Sequence, residues 1–186
     1  MSIVLTTPPA IEPVTLDEAK AHLKVDTTDD DALIGTLICA ARSKAEWNTG
    51  RAFITQGWTL AADSWPADNV FELPFPPLQS VTSVTAYALD DTAAVLDPST
   101  WQADTVSAPA RLALKANASP PVNLRALNAI EIVFTAGYGN SESDVPALIR
   151  EAILEIVADM YVNRGDTDEI PLAAMALLAP YRVFNI

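Results

Sequence analysis

The spacing of apolar residues changes twice along this chain, and the changes divide it into three parts. Up to residue 50 the apolar positions recur every three or four residues, the mark of amphipathic helices. Leu16, Ala19 and Leu23 share one face of a short helix predicted over 16–24. Ahead of it, Thr15-Leu16-Asp17-Glu18 reads as a capping box, in which hydroxyl and carboxylate satisfy the free N–H groups of the first turn. A second start signal follows at Thr28-Asp29-Asp30-Asp31, three carboxylates at the positive end of a helix dipole. Leu33, Ile34, Leu37, Ile38, Ala41 and Ala45 then predict a helix over 28–48, reaching Trp47 and stopped by Gly50.

From 53 to 135 the pattern shortens. Segments 53–60, 70–73, 81–89, 101–104, 111–114 and 130–135 are rich in β-branched and aromatic residues. Turn signals part them: Trp65-Pro66, Pro74-Phe75-Pro76-Pro77, Asp90-Asp91, Asp97-Pro98 and Ser119-Pro120-Pro121. Ile130, Ile132 and Phe134 alternate with Glu131 and Val133, as in a half-buried strand. The expectation is an antiparallel sheet or small sandwich.

The last part is helical again. Asp144 and Pro146 open a helix whose apolar rows are Leu148, Ile149, Ala152, Ile153, Ile156, Val157, Met160 and Tyr161. Glu151, Glu155 and Asp159 stack four apart on the opposite face; like charges at that spacing repel by a few tenths of a kcal/mol, so solvent should cover them. Asn163-Arg164-Gly165 ends this helix, and Pro171 opens a last apolar one, Leu172 to Leu178, which Pro180 should stop. The predicted fold is α+β: a bundle of about four helices (16–24, 28–48, 146–163 and 171–179) with an antiparallel β insertion between the second and third. In domain terms, 1–186 reads as one domain, with N-terminal helices over 10–50, the β insertion over 53–135, C-terminal helices over 144–179 and a tail over 180–186.

Composition narrows the function. Half of the 186 residues are hydrophobic and 19% are charged, which is globular. Against 24 acidic side chains stand 11 basic ones, a formal net charge of −13. That is too little positive charge to grip a phosphate backbone or an anionic membrane. The sequence MSIVLTTPPA lacks the basic start and long apolar run of a signal peptide, and no window approaches a membrane span, so a soluble cytoplasmic product is expected.

Chemistry is sparse. One Cys and one His cannot build a Cys/His zinc cluster. His22 has no nucleophile partner by motif and reads as a surface or helix-packing residue, while Cys39 beside apolar rows reads as a small buried thiol. Asp26 and Asp29 to Asp31 lack the spacing, glycine and closing Glu of a calcium loop, so capping is their expected role. Gly137-Tyr138-Gly139 has one glycine too few for a dinucleotide fingerprint and reads as a tight turn. No catalytic residue, metal site or cofactor is expected. Two readings of other classes stay open: a carboxylate-based hydrolase, needing two acids converging in a cleft, and a β-sandwich carbohydrate-binding module using Trp58, Trp65 or Trp101 as stacking platforms.

The C-terminus is unusual. Leu177, Leu178, Pro180, Tyr181, Arg182, Val183 and Phe184 put large side chains where chains ordinarily fray. Either the tail folds back on its own core or it docks into another subunit, and docking is favoured because little helix follows the proline.

The order of several short pieces resembles the head–tail connector (adaptor) proteins of long-tailed double-stranded DNA phages and the related gene transfer agents. They are Glu12-Pro13-Val14-Thr15-Leu16-Asp17-Glu18-Ala19-Lys20-Ala21-His22-Leu23-Lys24, Asp29-Asp30-Asp31-Ala32-Leu33-Ile34 and Gly50-Arg51. Further along come Ser80-Val81-Thr82-Ser83-Val84, Ala136-Gly137-Tyr138-Gly139, Val145-Pro146, Tyr161 with Arg164, and Leu177-Leu178-Ala179-Pro180-Tyr181-Arg182. The resemblance implies a structural, non-enzymatic protein of the particle neck. Copies, usually twelve, would form a ring beneath the portal protein, extend the DNA channel, and offer a platform to a downstream neck, stopper or tail-terminator protein. It implies portal docking through the C-terminal segment. Glu151, Glu155 and Asp159 become candidates for lining the channel, through which DNA passes without sequence-specific binding. Over twelve copies the charge would reach roughly −156, which repels phosphate instead of trapping it.

Overall fold

The computed structural model of the chain describes residues 1–163 and 169–183. Its elements are, in order, strand β1 (Ser2–Thr7), helices α1 (Leu16–Leu23) and α2 (Asp31–Thr49), and strands β2 (Gln56–Ala62), β3 (Val70–Leu73), β4 (Leu78–Tyr87), β5 (Ala93–Val95), β6 (Trp101–Asp104), β7 (Ala110–Leu114) and β8 (Ile130–Ala136). Helices α3 (Ala147–Val162) and α4 (Leu172–Leu178) follow, and a 3-10 turn (Ala179–Tyr181) continues α4. These elements fall into two compact units, one mainly β and one helical. The α+β architecture is the one the residue pattern predicts.

The helical unit comprises residues 9–54 and the described residues from 138 onward. The capping box forms as expected: Thr15 Oγ1 accepts from the Glu18 N–H at 3.2 Å, and Glu18 Oε2 accepts from the Thr15 N–H at 2.9 Å. Lys24 in the left-handed region ends α1, and Gly50, at φ 68°, ends α2 while donating its N–H to the Glu46 carbonyl. The carboxylates at 29–31 differ from expectation. Asp30 makes no capping bond. Instead it accepts from the Tyr161 hydroxyl at 2.6 Å, and Asp31 accepts from Lys20 Nζ at 2.6 Å. Tertiary donors have taken the place of the helix's own N–H groups.

The core of this unit joins Ile34, Leu37, Ile38, Ala41 and Ala45 of α2 to Ile149, Ala152, Ile153, Ile156 and Val157 of α3, with Ala174 and Leu178 of α4 closing it. Full burial of each isoleucine contributes about 1.5–3 kcal/mol. Phe53 and Ile54 also belong here, which is why β2 begins at Gln56 and not at 53. The Phe53 N–H donates to the Glu46 carboxylate at 2.8 Å, and its carbonyl accepts from the Tyr138 N–H at 2.9 Å. Cys39 is exposed, contrary to expectation. It sits one residue beyond the buried Leu37/Ile38 pair, on the side of α2 that turns outward.

The β unit takes in residues 1–8 and 55–137. A five-stranded sheet has the order β1-β2-β8-β4-β5, and a three-stranded one the order β3-β7-β6. Every neighbouring pair is antiparallel. Strand β8 is central, and its Ile130, Ile132, Phe134 and Ala136 are buried while the residues between are half-buried, the predicted alternation. Trp58 lies opposite Phe134 and Leu60 opposite Ile132. In the smaller sheet Phe71, Leu73, Ala110 and Leu112 turn inward. Strands β1 and β5 are not foreseen by the residue pattern: β1 is exposed at all positions but Ile3, and β5 at all three. Edge strands with both faces near solvent leave no period-2 signature to read.

Candidate functional site

The end of α2 and the C-terminal segment meet within the helical unit. Gly50 adopts φ 68°, a conformation suited to glycine, and turns the chain so that Arg51 lies beside the segment that follows α4. Arg51 Nε donates to the Tyr181 carbonyl at 2.5 Å, and the Val183 N–H donates to the Thr49 carbonyl at 2.8 Å. A side-chain hydrogen bond with Tyr138 involves Arg51 as well. Burial raises the Tyr138 hydroxyl above its ordinary pKa, with Arg51 acting against that rise, so the phenol stays neutral. Close by in sequence, Gly139 is required by space. A Cβ there would fall 2.1 Å from Asp144 Oδ2, the carboxylate that caps the following 3-10 turn, Glu142–Asp144.

The C-terminal residues therefore fold back onto their own unit as far as Val183. Leu178 is fully buried in the core, and Leu177 and Tyr181 pack against it. Pro180 and Arg182 are exposed, and Val183 is half-buried. Phe184 lies outside the described residues, as does Arg164, the partner of Tyr161 in the resemblance. Of the two fates open to the tail, folding back describes 177–183, and the surface it presents outward is Pro180 and Arg182 with the open sides of its neighbours.

Solvent covers the acidic row less fully than its spacing predicts. Glu151 is exposed, Glu155 and Asp159 are half-buried, and Asp159 accepts from Asn163 Nδ2 at 2.9 Å. Arg150, the residue just before Glu151, reaches to the Glu18 carboxylate and the Pro13 carbonyl. The Thr15 N–H holds Glu18 below the usual carboxylate pKa; burial works against it, and Arg150 and the Thr15 hydroxyl add to the lowering. A second ion network lies under α2: Arg42, 8% exposed, donates to Glu12 and to Glu46, each at 2.7 Å. Burial opposes its charge, but the two carboxylates outweigh that and keep the guanidinium firmly protonated.

The indoles are engaged inside the β unit. Trp58 stacks on Phe75 at 4.4 Å between ring centres, Trp65 meets Phe71 edge-on at 5.0 Å, and the Nε1 atoms of Trp58, Trp65 and Trp101 are all buried. Trp58 and Trp65 are used for packing against other rings, and Trp101 is half-buried, so they make poor platforms for a sugar. Among the described residues no group of three or more His, Cys, Asp or Glu side chains has the arrangement to hold a metal ion, and no helix is long and apolar enough to cross a membrane.

A surface that sequence reasoning missed lies on the helical unit. Ala40, Lys44 and Trp47 of α2 face Ile170 and Met175 across a cleft of about 860 Å³. Trp47 is 82% exposed. Its position off the Ile34/Ile38/Ala41/Ala45 face was the available signal, since a tryptophan outside the apolar row has no core to enter.

The first four pieces of the resemblance, Glu12 apart, fall within the span of a family description. Phage gp6-like head-tail connector proteins match over residues 13–94, a span that opens with the α1 capping box. Solved structures match across the whole chain. The neck of an empty GTA (gene transfer agent) particle, computed with C6 symmetry, has a TM-score of 0.86 at 25% identity, covering 100% of this chain and 97% of that one. The neck of a native GTA particle, computed with C12 symmetry, gives 0.84 at 25% identity, with the same coverage. The virion of a native gene transfer agent particle gives 0.83 at 24% identity, again covering 100% and 97%. No curated protein matches. The resemblance read from the order of short pieces is borne out, locally by the connector match and in fold over the full length.

Proposed function

We infer that this chain is a structural connector of the head–tail neck in a phage or gene transfer agent particle. The observation that carries the inference is the neck fold over the entire chain, joined to the connector match on 13–94. The ring packing of Trp58 and Trp65, with the buried Nε1 of Trp101, favours it over a carbohydrate-binding module.

In this reading, copies form a ring, twelve as the resemblance implies, beneath the portal protein. The C-terminal turn is the portal-facing element. Its latch to Thr49 and Arg51 holds it in shape beforehand, which lowers the conformational entropy lost on docking. Pro180 and Arg182, with the open sides of Leu177, Tyr181 and Val183, make the contact, while Leu178 anchors the turn from within. The row Glu151, Glu155 and Asp159 faces the channel. Carboxylates within a Debye length of the duplex, about 8 Å at physiological salt, keep it from adhering to the wall. The ring's far side receives the downstream neck, stopper or tail-terminator protein.

Removal of this chain from the particle's genes tests the role. Filled heads without tails, restored to tailed particles by the wild-type chain, are the expected micrographs; tailed particles in its absence would contradict the reading.

A further inference from the structure

A sheet edge offers a row of unpaired N–H and C=O groups, and soluble proteins guard such edges with charge, proline or short length. The five-stranded sheet has two edges, β1 and β5. Residues 1–11 contain no charged side chain, although the chain carries −13 overall. Within β1, Val4 is 58% exposed and Leu5 41%. Strand β5, only three residues long, lies in Thr92-Ala93-Ala94-Val95-Leu96, which has no charge of its own between Asp91 and Asp97. The Thr92 carbonyl accepts from the Ala88 N–H and the Leu96 N–H donates to the Val84 carbonyl, so the alternation of an antiparallel ladder turns the backbone of Ala93 and Val95 outward. The smaller sheet differs: its edge strands β3 and β6 carry Glu72 and Asp104.

Resting on the ring reading above, we propose that β5 of one copy pairs with β1 of the next, so that the five-stranded sheets of successive copies join around the ring. The occupant of each edge is a second copy of this chain, for three reasons. Solved relatives of this fold sit in necks computed with C6 and C12 symmetry, and rotational symmetry of that kind joins two different patches, never a patch to itself. Among the described residues, the sheet ends in two different strands with no further strand beside them. Both are neutral in a strongly acidic chain, so copies meet there without like-charge repulsion. Strand direction agrees as well: four successive antiparallel pairings leave β1 and β5 pointing the same way. A small rotation about an axis along the strands then sets them side by side as a parallel pair.

Cysteine pairing in assembled particles reads this directly. On a Cys39→Ser background, Val4→Cys is combined in turn with Ala93→Cys, Ala94→Cys and Val95→Cys, which covers the register. Paired strands lie about 4.8 Å apart, within disulfide reach. Mild oxidation should give a ladder of multimers from at least one combination, and monomer from each single-cysteine variant. A chain present in many copies per particle but yielding no ladder overturns the edge pairing and leaves the ring reading standing. Dimers from Val4→Cys alone mean that β1 pairs with itself, which also overturns it. A single copy per particle removes the ring reading and this pairing together.

Discussion

Arg51 and Tyr181, 130 residues apart, are joined by a hydrogen bond from the guanidinium to the backbone carbonyl. Each belongs to a short piece of the connector resemblance, Gly50-Arg51 and Leu177 to Arg182, and the fold brings the two pieces together. Arg51→Ala should release the C-terminal turn. A hydrogen bond from a charged group contributes about 1.5–3 kcal/mol, and this one is partly exposed, so the lower end is expected. Hydrogen exchange at the Val183 amide, which bonds to Thr49, should accelerate while amides in α3 stay protected. Unchanged exchange at Val183 would mean that Arg51 does not hold the turn.

Arg42 illustrates a buried charge that depends on its partners. Arg42→Ala leaves Glu12 and Glu46 without their cation, and Glu46 also accepts from the Phe53 N–H. A loss of about 3–5 kcal/mol is expected by denaturant unfolding of the helical unit. Glu12→Gln should cost far less, because Glu12 is the more exposed of the two carboxylates. Equal losses would contradict this division.

Ile153 is fully buried between α3 and the rest of the helical core. Ile153→Ala should cost about 2–5 kcal/mol, the usual range for a cavity left by a buried aliphatic chain. A thermal or denaturant melt measures it, and a cost below 1 kcal/mol would place Ile153 outside the core.

The acid limb of stability should report Glu18. Its folded pKa lies below the ordinary value of 4.5 because the Thr15 N–H and Arg150 favour the carboxylate. The stability it contributes is complete above that ordinary value and is lost as pH falls through the lowered folded one. Glu18→Gln should therefore be less stable than wild type at neutral pH, and the gap should narrow on acidification. A constant gap in melting temperature across that window would show that the charge is not the cause.

Charge reversal of the acidic row, with Glu151→Lys, Glu155→Lys and Asp159→Lys combined, should slow DNA delivery from particles that assemble in normal number. Unchanged delivery would remove this face of α3 from the channel.

Much of the fold is legible in the sequence because its signals are local. The Thr15/Glu18 box, the Ile34-to-Ala45 face, Gly50 and the alternation around Ile132 all act within a few residues of themselves. What escapes is set by partners far along the chain. Strand β1 exists because β2 is beside it, and the Asp30 carboxylate bonds Tyr161 and not the N–H groups of its own helix. The candidate surfaces divide the same way. The acidic row of α3 is visible as a spacing of four, whereas the latch between Thr49, Arg51 and the C-terminal turn, and the cleft beside Trp47, appear only once α2 and α4 are packed.

A ring-forming connector of the neck binds the portal in a fixed number of copies. The most direct measurement is its mass, by mass photometry or native mass spectrometry, alone and bound to portal protein. One discrete complex is expected, in which the portal carries a fixed, symmetric number of copies, twelve by the resemblance. A chain that stays monomeric beside the portal, or binds it with no fixed copy number, would contradict it.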